Sequence, residues 1–417
     1  MKKCFKTVSC ILIIAIILSF VGCGKTKIKE ASQMGENIVR TEQTGKQATY
    51  EFKKAQTDFA VELFKASMKE NKNMLISPLS VSVALAMTAN GAEGKTLEEM
   101  EKVLGGMNIE ELNEYLCFYL NSLDDSLKSA NSIWFRDSDR LEIKDDFLKT
   151  NVDYLDAQIY KAAFDQNTVS DINAWVDNNT DGMIDKIIEE IKDNVIMYLI
   201  NALAFEAEWE EMYKKTAVYE DEFTAYGSTV RKVKMMSSEE KLYIEDKNAT
   251  GFIKPYKGGK YSFAALLPKE GMSVEEYIAS LDGEGLLGML SNARNTTVFA
   301  KMPKFSYDCS LSLNDTLQAM GMPLAFDKDC ADFSAMGSSK DGNISIGRVL
   351  HKTFIAVDEK GTKAGAVTAV EMVAESVMVK EDYKTVYLDR PFVYMIIDNE
   401  NNLPVFMGAV NDISEEK

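Results

Sequence analysis

The sequence predicts an α+β fold, on three observations. Segments with apolar residues at helical spacing crowd the earlier part of the chain, from Phe52 to Thr180. Segments that read as strands crowd the later part, from Val195 onward. No internal repeat occurs, and helices and strands do not alternate as a parallel α/β sheet requires. The 417 residues are 46% hydrophobic, ample for a large core. Length alone suggests two or three domains.

Taken in order, Phe52 to Met68 carries Phe52, Ala55, Phe59, Val61, Leu63 and Phe64, a helix with one face packed inward. Ser77-Pro78 opens the next helix, because proline suits a first turn. That helix is apolar nearly all round to Ala89, so it is expected to be buried. Further helices follow at Thr96 to Leu104, Ile109 to Leu120, Lys144 to Tyr154 and Val169 to Thr180, with Trp175 on the apolar side of the last. Ser129 to Phe135 reads as a strand. The long apolar run Val195 to Phe205 reads as a central one. Strands are expected at Tyr219–Thr224, Thr229–Met236, Tyr243–Asp246, Gly251–Pro255 and Ser262–Leu267, with Gly258-Gly259 marking a hairpin. Short helices follow at Val274–Leu281 and Glu284–Ser291, then a strand near Thr297–Met302 and a helix at Leu311–Met320. The C-terminus reads as strand, turn at Asn399 to Asn402, and strand.

The N-terminus has its own logic. Lys2, Lys3 and Lys6 precede an apolar run from Val8 to Val21, the pattern of an export signal over residues 1–22. The run is short for a membrane span. It ends in Phe20-Val21-Gly22-Cys23, a bacterial lipoprotein cleavage pattern in which Cys23 becomes the lipidated first residue. That places the mature protein outside the cytoplasm, held to the cell membrane by lipid. Residues 24–48 lack apolar periodicity and read as a flexible tether. Net charge is −18, which argues against nucleic acid as a partner. Cys117, Cys309 and Cys330 remain beyond the signal and the lipid site. Their odd number and wide spacing fit neither a disulfide framework nor a metal motif, and they read as small core residues.

One stretch stands apart. Val349 to Val357 reads as a buried strand, and so does Pro391 to Ile397. The connection between them is long for a compact domain. From Thr362, every second residue (Thr362, Ala364, Ala366, Thr368, Val370, Met372, Ala374) is uncharged and mostly small. Lys363, Glu371 and Glu375 fall on the other face. This is the pattern of a strand with one buried face, set in a loop.

Here the chain resembles the serpin family, which traps serine and cysteine proteases with a mobile reactive-centre loop. Asn73-Met74-Leu75-Ile76-Ser77-Pro78-Leu79-Ser80-Val81, continuing through Gly91-Ala92-Glu93-Gly94-Lys95-Thr96, resembles the family's second helix. Asn201 to Trp209 resembles its central-strand motif. Met302-Pro303-Lys304-Phe305, Leu317 to Phe326, Ala331-Asp332-Phe333, Val349 to Lys352, Asp389-Arg390-Pro391-Phe392 and Phe406 to Ala409 follow in the family's order. The resemblance spans residues 50–413 and implies one large domain of about nine helices and three β-sheets.

It also implies a mechanism. A protease attacks the loop and forms an acyl-enzyme, and the cleaved loop enters the main sheet as a new strand. Each added backbone hydrogen bond is worth roughly 0.5–1.5 kcal/mol net, so the uncut state is kinetically trapped. The dragged protease loses oxyanion-hole alignment and stalls. By resemblance the loop runs over residues 359–381, hinged at Glu359, Gly361, Thr362, Ala364, Gly365, Ala366 and Thr368. The scissile bond falls at Glu375–Ser376, with alternatives after Ala374, Met378 or Lys380. Ser77, Ser80, Asn201 and His351 are assigned to the shutter beneath the sheet. Trp209, Lys304 and Glu359 are assigned to the breach where the loop first inserts. The family usually carries lysine and glycine where this chain has Glu206 and Ala207. The expected partner is a target protease, held by a monomer without cofactor or metal. A binding or carrier role without inhibition is the alternative.

Enzyme chemistry has little to work with. His351 is the sole histidine, which excludes multi-histidine metal sites and leaves any triad dependent on it. Gly24-Lys25-Thr26 resembles the end of a phosphate loop, but Ser19 stands where its first glycine is required. Acidic pairs such as Glu98-Glu99 and Glu210-Glu211 read as solvated charges.

Overall fold

The computed structural model describes residues 28–34, 38–192, 195–362 and 383–413. The export signal, Cys23 and the loop positions Ala364, Gly365, Ala366, Thr368, Ala374, Glu375, Ser376, Met378 and Lys380 lie outside the described residues.

The first part of the chain runs β1 (Ser32–Gln33), α1 (Tyr50–Ser67), β2 (Met74–Ile76), α2 (Pro78–Ala89), α3 (Gly94–Val103) and α4 (Ile109–Asn121). Then come β3 (Leu127–Arg136), β4 (Leu141–Ile143), α5 (Asp145–Leu155), β5 (Ala157–Ala162) and α6 (Gln166–Asn179). Next are β6 (Met197–Phe205), β7 (Ala207–Glu208), β8 (Val218–Ala225), β9 (Thr229–Glu245), β10 (Ala249–Pro255) and β11 (Tyr261–Pro268). After α7 (Val274–Ser280) and α8 (Gly283–Ser291) come β12 (Arg294–Pro303), β13 (Phe305–Ser312), α9 (Asn314–Met320) and β14 (Gly337–Ser339). The chain closes with β15 (Leu350–Val357), β16 (Gly361–Thr362), β17 (Tyr383–Tyr387), β18 (Phe392–Asp398) and β19 (Leu403–Val410).

The helices begin where their caps dictate. Thr49 Oγ1 accepts the Phe52 amide at 3.3 Å to start α1. Ser77 caps α2, with Pro78 in its first turn, and every residue of α2 except Ala84 is buried. Asp165 caps α6 by accepting from Asn167 and Thr168. Two sequence boundaries shift. Thr229–Met236 and Tyr243–Glu245 are parts of one continuous strand, β9, because the polar run between them still pairs with β12; Asp246 lies just past its end. Leu311 belongs to β13, so the helix expected from Leu311 begins only at Asn314.

Two four-stranded sheets, β1-β5-β3-β6 and β13-β15-β16-β7, meet where β6 runs on into β7 past Glu206. The first sheet separates two cores by strand alternation. Ile133 and Phe135 join the main core, whereas Trp134 joins a second core beneath α6 with Ile172 and Trp175. β6 divides its side chains in the same way, which is why its sequence is apolar apart from Asn201. A nine-stranded sheet, β17-β12-β9-β10-β11-β18-β19-β2 with β8 beside β9, backs the main core. Cys117 and Cys309 are buried and free; Cys330 is exposed, contrary to its expected place in a core.

The expected tether is corrected over residues 28–34 and 38–48, which lie against the domain. The amides of Lys29, Glu30 and Ala31 all donate to the Asp171 carboxylate on α6, at 2.8–3.0 Å. β1 pairs antiparallel with β5, and the Met34 amide donates to the Ile159 carbonyl. Farther on, the Thr41 amide donates to Asp153 and the Lys46 amide to the Glu114 carbonyl. Polar side chains hid this segment from a periodicity argument, because backbone groups hold it. Hydrogen bonds to a charged group are worth about 1.5–3 kcal/mol each. Asp171→Ala is therefore expected to speed hydrogen exchange at Lys29–Ala31 at least about tenfold, with Ser32–Met34 less affected. Site-resolved exchange measures this.

Candidate functional site

The site lies where the two smaller sheets join. After β15, Asp358 to Gly361 makes a tight turn. The Asp358 amide donates to the Gly361 carbonyl at 3.0 Å, and Asp358 Oδ1 accepts the Lys360 and Gly361 amides at 2.7 and 3.2 Å. Aspartate first and glycine fourth is a type I turn signal. The chain then enters the sheet as β16. Thr362 pairs with Val357 on one side and Ala207 on the other, and Gly361 pairs with Glu208. A Cβ on Gly361 would lie 2.1 Å from the Ala207 carbonyl oxygen, so the close approach requires glycine.

Trp209 braces this turn. Its indole N–H donates to the Asp358 carbonyl and its amide to the Lys360 carbonyl, both at 2.8 Å. The Tyr213 amide donates to the Glu359 carbonyl at 3.0 Å. Tyr256 stacks on Trp209 at 4.5 Å, and its hydroxyl lies 2.5 Å from Thr362 Oγ1. Thr362 is only 2% exposed, so its side chain points into the core. Glu359 pairs with Lys304. Partial burial pushes the Glu359 pKa up most strongly, but the Lys304 ammonium, a backbone hydrogen bond and the charge of Lys360 together outweigh it, and the net shift is downward. Trp209, Lys304 and Glu359, which the resemblance groups together, do converge here.

Sequence reasoning missed the layer below. Lys254 Nζ lies 2.8 Å from Glu240 in a buried ion pair. The same ammonium sits 4.5 Å from the centre of the Tyr213 ring and 5.5 Å from that of Trp209. A lysine and a glutamate in separate exposed-looking strands gave no sign of pairing. Tyr256, just before the Gly258-Gly259 turn, was equally silent.

The other assigned cluster lies at the opposite end of β15. The Ser77 amide donates to His351 Nε2 at 2.9 Å, and Ser77 Oγ donates to the Val405 carbonyl at 2.9 Å. Ser80 belongs to the same turn, its amide donating to Ser77 Oγ. Asn201 does not bond His351: its side-chain amide donates to Asn131 Oδ1 at 2.7 Å and Ser129 Oγ at 3.2 Å. Asn201 and His351 instead line one cavity of about 750 Å³, bordered also by Met197 on β6 and Val81 on α2. Among the described residues, β6 pairs along its length with β3 alone. No group of histidine, cysteine or carboxylate side chains among the described residues could hold a metal, and no described helix is long and apolar enough to cross a membrane.

His351 is buried, and burial pushes its pKa down to about 4. Since Nε2 accepts a hydrogen bond, the ring is neutral. The unfolded chain binds this proton from about pH 6.5 and the folded one only near pH 4, so stability falls on acidification through that window. Between pH 7 and 5 the loss from this group is about 2 kcal/mol. Denaturant titrations should show it in the native chain and lose it in His351→Gln. At the other end, Tyr256→Phe is expected to cost about 1 kcal/mol locally and to speed amide exchange at Thr362 severalfold.

Comparison with known proteins agrees with this architecture. The family model for the serpins (serine protease inhibitors) matches residues 54–413. A serpin-like protein of Thermococcus kodakarensis is 31% identical over 362 residues, covering 84% of this chain and 83% of its own. The leukocyte elastase inhibitor of Equus caballus is 28% identical over 375 residues, covering 85% and 97%. The native-state crystal structure of the thermophilic serpin tengpin is 49% identical, covers 92% of this chain and 100% of its own, and superposes with a TM-score of 0.88. Members of the family are generally inhibitors rather than catalysts. With its α+β architecture, its ordered motifs and this match across most of its length, the chain belongs to the serpin family.

Proposed function

We propose that this protein is a single-use inhibitor of serine endopeptidases that traps the acyl-enzyme by inserting its cleaved loop into the main sheet. The observation that carries the reading is the start of insertion at Gly361–Thr362. Thr362 already occupies an inward position between β15 and β7. Side chains alternate along a strand, so Ala364, Ala366 and Thr368 share its parity. All three are small and uncharged, and none would obstruct a strand continuing between β6 and β15. The charged Lys363, Glu371 and Glu375 fall on the opposite parity.

The reading includes the scissile bond at Glu375–Ser376, which would suit a glutamyl-specific protease. Cleavage after Ala374 or Met378 would suit elastase- or subtilisin-like enzymes. Cleavage after Lys380 would suit trypsin-like ones and leave a longer arm with less distortion of the protease. The N-terminal pattern ending at Cys23 supports export and a lipid anchor in the cell membrane. A second reading, binding without inhibition, has one observation in its favour: the cavity of about 750 Å³ beside His351. A thyroxine-binding globulin with bound thyroxine shares this fold at 25% identity.

The chain from residue 25 is to be mixed in turn with a glutamyl-specific protease, a subtilisin-like protease and trypsin, then run on a denaturing gel. A band at the summed mass that survives boiling is the expected result. Ala366→Arg should cut its yield at least about tenfold while cleavage continues, since burying an unpaired charge blocks insertion. A trimmed band alone, with no rise in melting temperature after cleavage, would favour the binding role.

A further inference from the structure

The docked N-terminal segment enters the fold at a defined end of the first sheet. Ser32 pairs with Lys161, Lys161 with Phe135, and Phe135 with Met197, so one row crosses all four strands. At this row β3 and β5 finish and β6 begins, and α6 starts just past it at Gln166. β1 runs antiparallel to β5, so the chain before Ser32 arrives from the end at which β5 finishes. There Lys29, Glu30 and Ala31 bond Asp171 in the first half of α6, and Ile28 and Ala31 pack against the second core. The loop hinge lies at the other end. β6 leads away from the row, and from Met197 to Ala207, the partner of Thr362, the chain covers roughly 33 Å at ~3.3 Å per residue.

We propose that the docking of residues 28–34 orients the anchored protein on its membrane: the end of the domain where β3 and β5 finish and α6 begins faces the lipid headgroups, and the loop hinge stands on the far side, toward the aqueous phase. This rests on the reading of Cys23 as the lipidated residue and is independent of inhibition. Chain length selects the occupant. Only Gly24-Lys25-Thr26-Lys27 separates Cys23 from Ile28. Those links reach at most about 18 Å, at ~3.3–3.6 Å per residue, less than the distance from the row to the hinge. A chain left unbound as far as Thr49 would reach about 90 Å and impose no orientation. The surface at this end suits contact with headgroups and water. Asp137 pairs with Lys161 at 2.8 Å, and Arg140 pairs with Asp341. None of the exposed large apolar side chains among the described residues falls within residues 127–179, so this end has nothing with which to enter the hydrocarbon. The lipid and the docked segment together therefore set the orientation.

The test uses the full chain, exported and processed in a bacterial host, then placed in vesicles of phosphatidylethanolamine and phosphatidylglycerol that carry a headgroup-linked energy acceptor. Cys117 and Cys309 are buried, so with Cys330→Ser a single donor dye can be attached at Asp139→Cys, just past the end of β3, or at Glu210→Cys, beside the hinge turn; both positions are exposed. Energy transfer to the membrane should be at least about twofold more efficient from position 139 than from position 210. Asp171→Ala with Met34→Pro removes the carboxylate and one of the amides that hold the segment, and should bring the two efficiencies together. Equal transfer from both positions in the otherwise unaltered chain, stronger transfer from position 210, or a difference that survives release of the segment would overturn the orientation and leave the anchor intact. A chain that does not float with the vesicles and lacks the mass of a lipid on Cys23 would overturn both.

Discussion

The pairing of Gly361 and Thr362 between β15 and β7 is the constraint on which the rest of the site depends. Within β16 it sets Thr362 inward, against the core. It is held from every side by groups with few alternatives. Glycine is needed against the Ala207 carbonyl. Trp209 takes two backbone carbonyls of the turn, and Tyr256 takes the threonine hydroxyl. Below them, the buried Lys254–Glu240 pair packs its ammonium against the Trp209 and Tyr213 rings. Removing one partner of such a pair leaves an uncompensated charge in the core, a change typically worth 3–5 kcal/mol in order of magnitude. The aromatic braces therefore stand on a platform that tolerates little change.

The far end of β15 is secured by different means. His351 accepts from the Ser77 amide at the first turn of α2, so the strand is tied to a buried helix through one neutral ring. The bond is pH-sensitive because burial lowers the ring's pKa, whereas the top of the strand relies on the Lys304–Glu359 pair and aromatic stacking. Two latches of different chemistry thus hold one strand. Between them lie the cavity and the side of β6 that faces away from β3.

Much of this was legible in sequence. Apolar runs located β6 and β15, period-two alternation marked the loop, helical spacing located α1, and Ser77-Pro78 marked the start of α2. The resemblance located His351, Trp209 and Lys304. What escaped were features that depend on pairing across distant segments. The docking of residues 28–34 is made by backbone amides on Asp171, and amides leave no trace in composition. The ion pair of Lys254 and Glu240 joins strands whose register no local pattern specifies. The unbroken β9 was read as two strands because its middle, Ser237 to Lys241, is polar throughout, and its one inward residue there is the charged Glu240, held by Lys254. Asn201 was grouped with His351 beneath the sheet, but the register of β6 against β3 puts Asn131 directly opposite it, and its side chain bonds there.

That register bears on how insertion could be driven. Strand edges carry unpaired N–H and C=O groups, and such groups inside a molecule are costly unless something meets them. Along β6 the described partner is β3 on one side only. A strand continuing from Thr362 would present its own backbone to both β6 and β15, and its small inward residues would not have to displace the floor formed by α2. The gain accrues residue by residue, roughly 0.5–1.5 kcal/mol for each net hydrogen bond, but only after the two latches let the sheet accept it. On the proposed mechanism, drive and restraint reside in different residues. The drive lies in the backbone and in the small side chains of the loop. The restraint lies in the Trp209–Tyr256 brace and the Ser77–His351 bond. On this account the two can be altered independently, which makes a long-lived uncut state compatible with rapid insertion once the loop is cut.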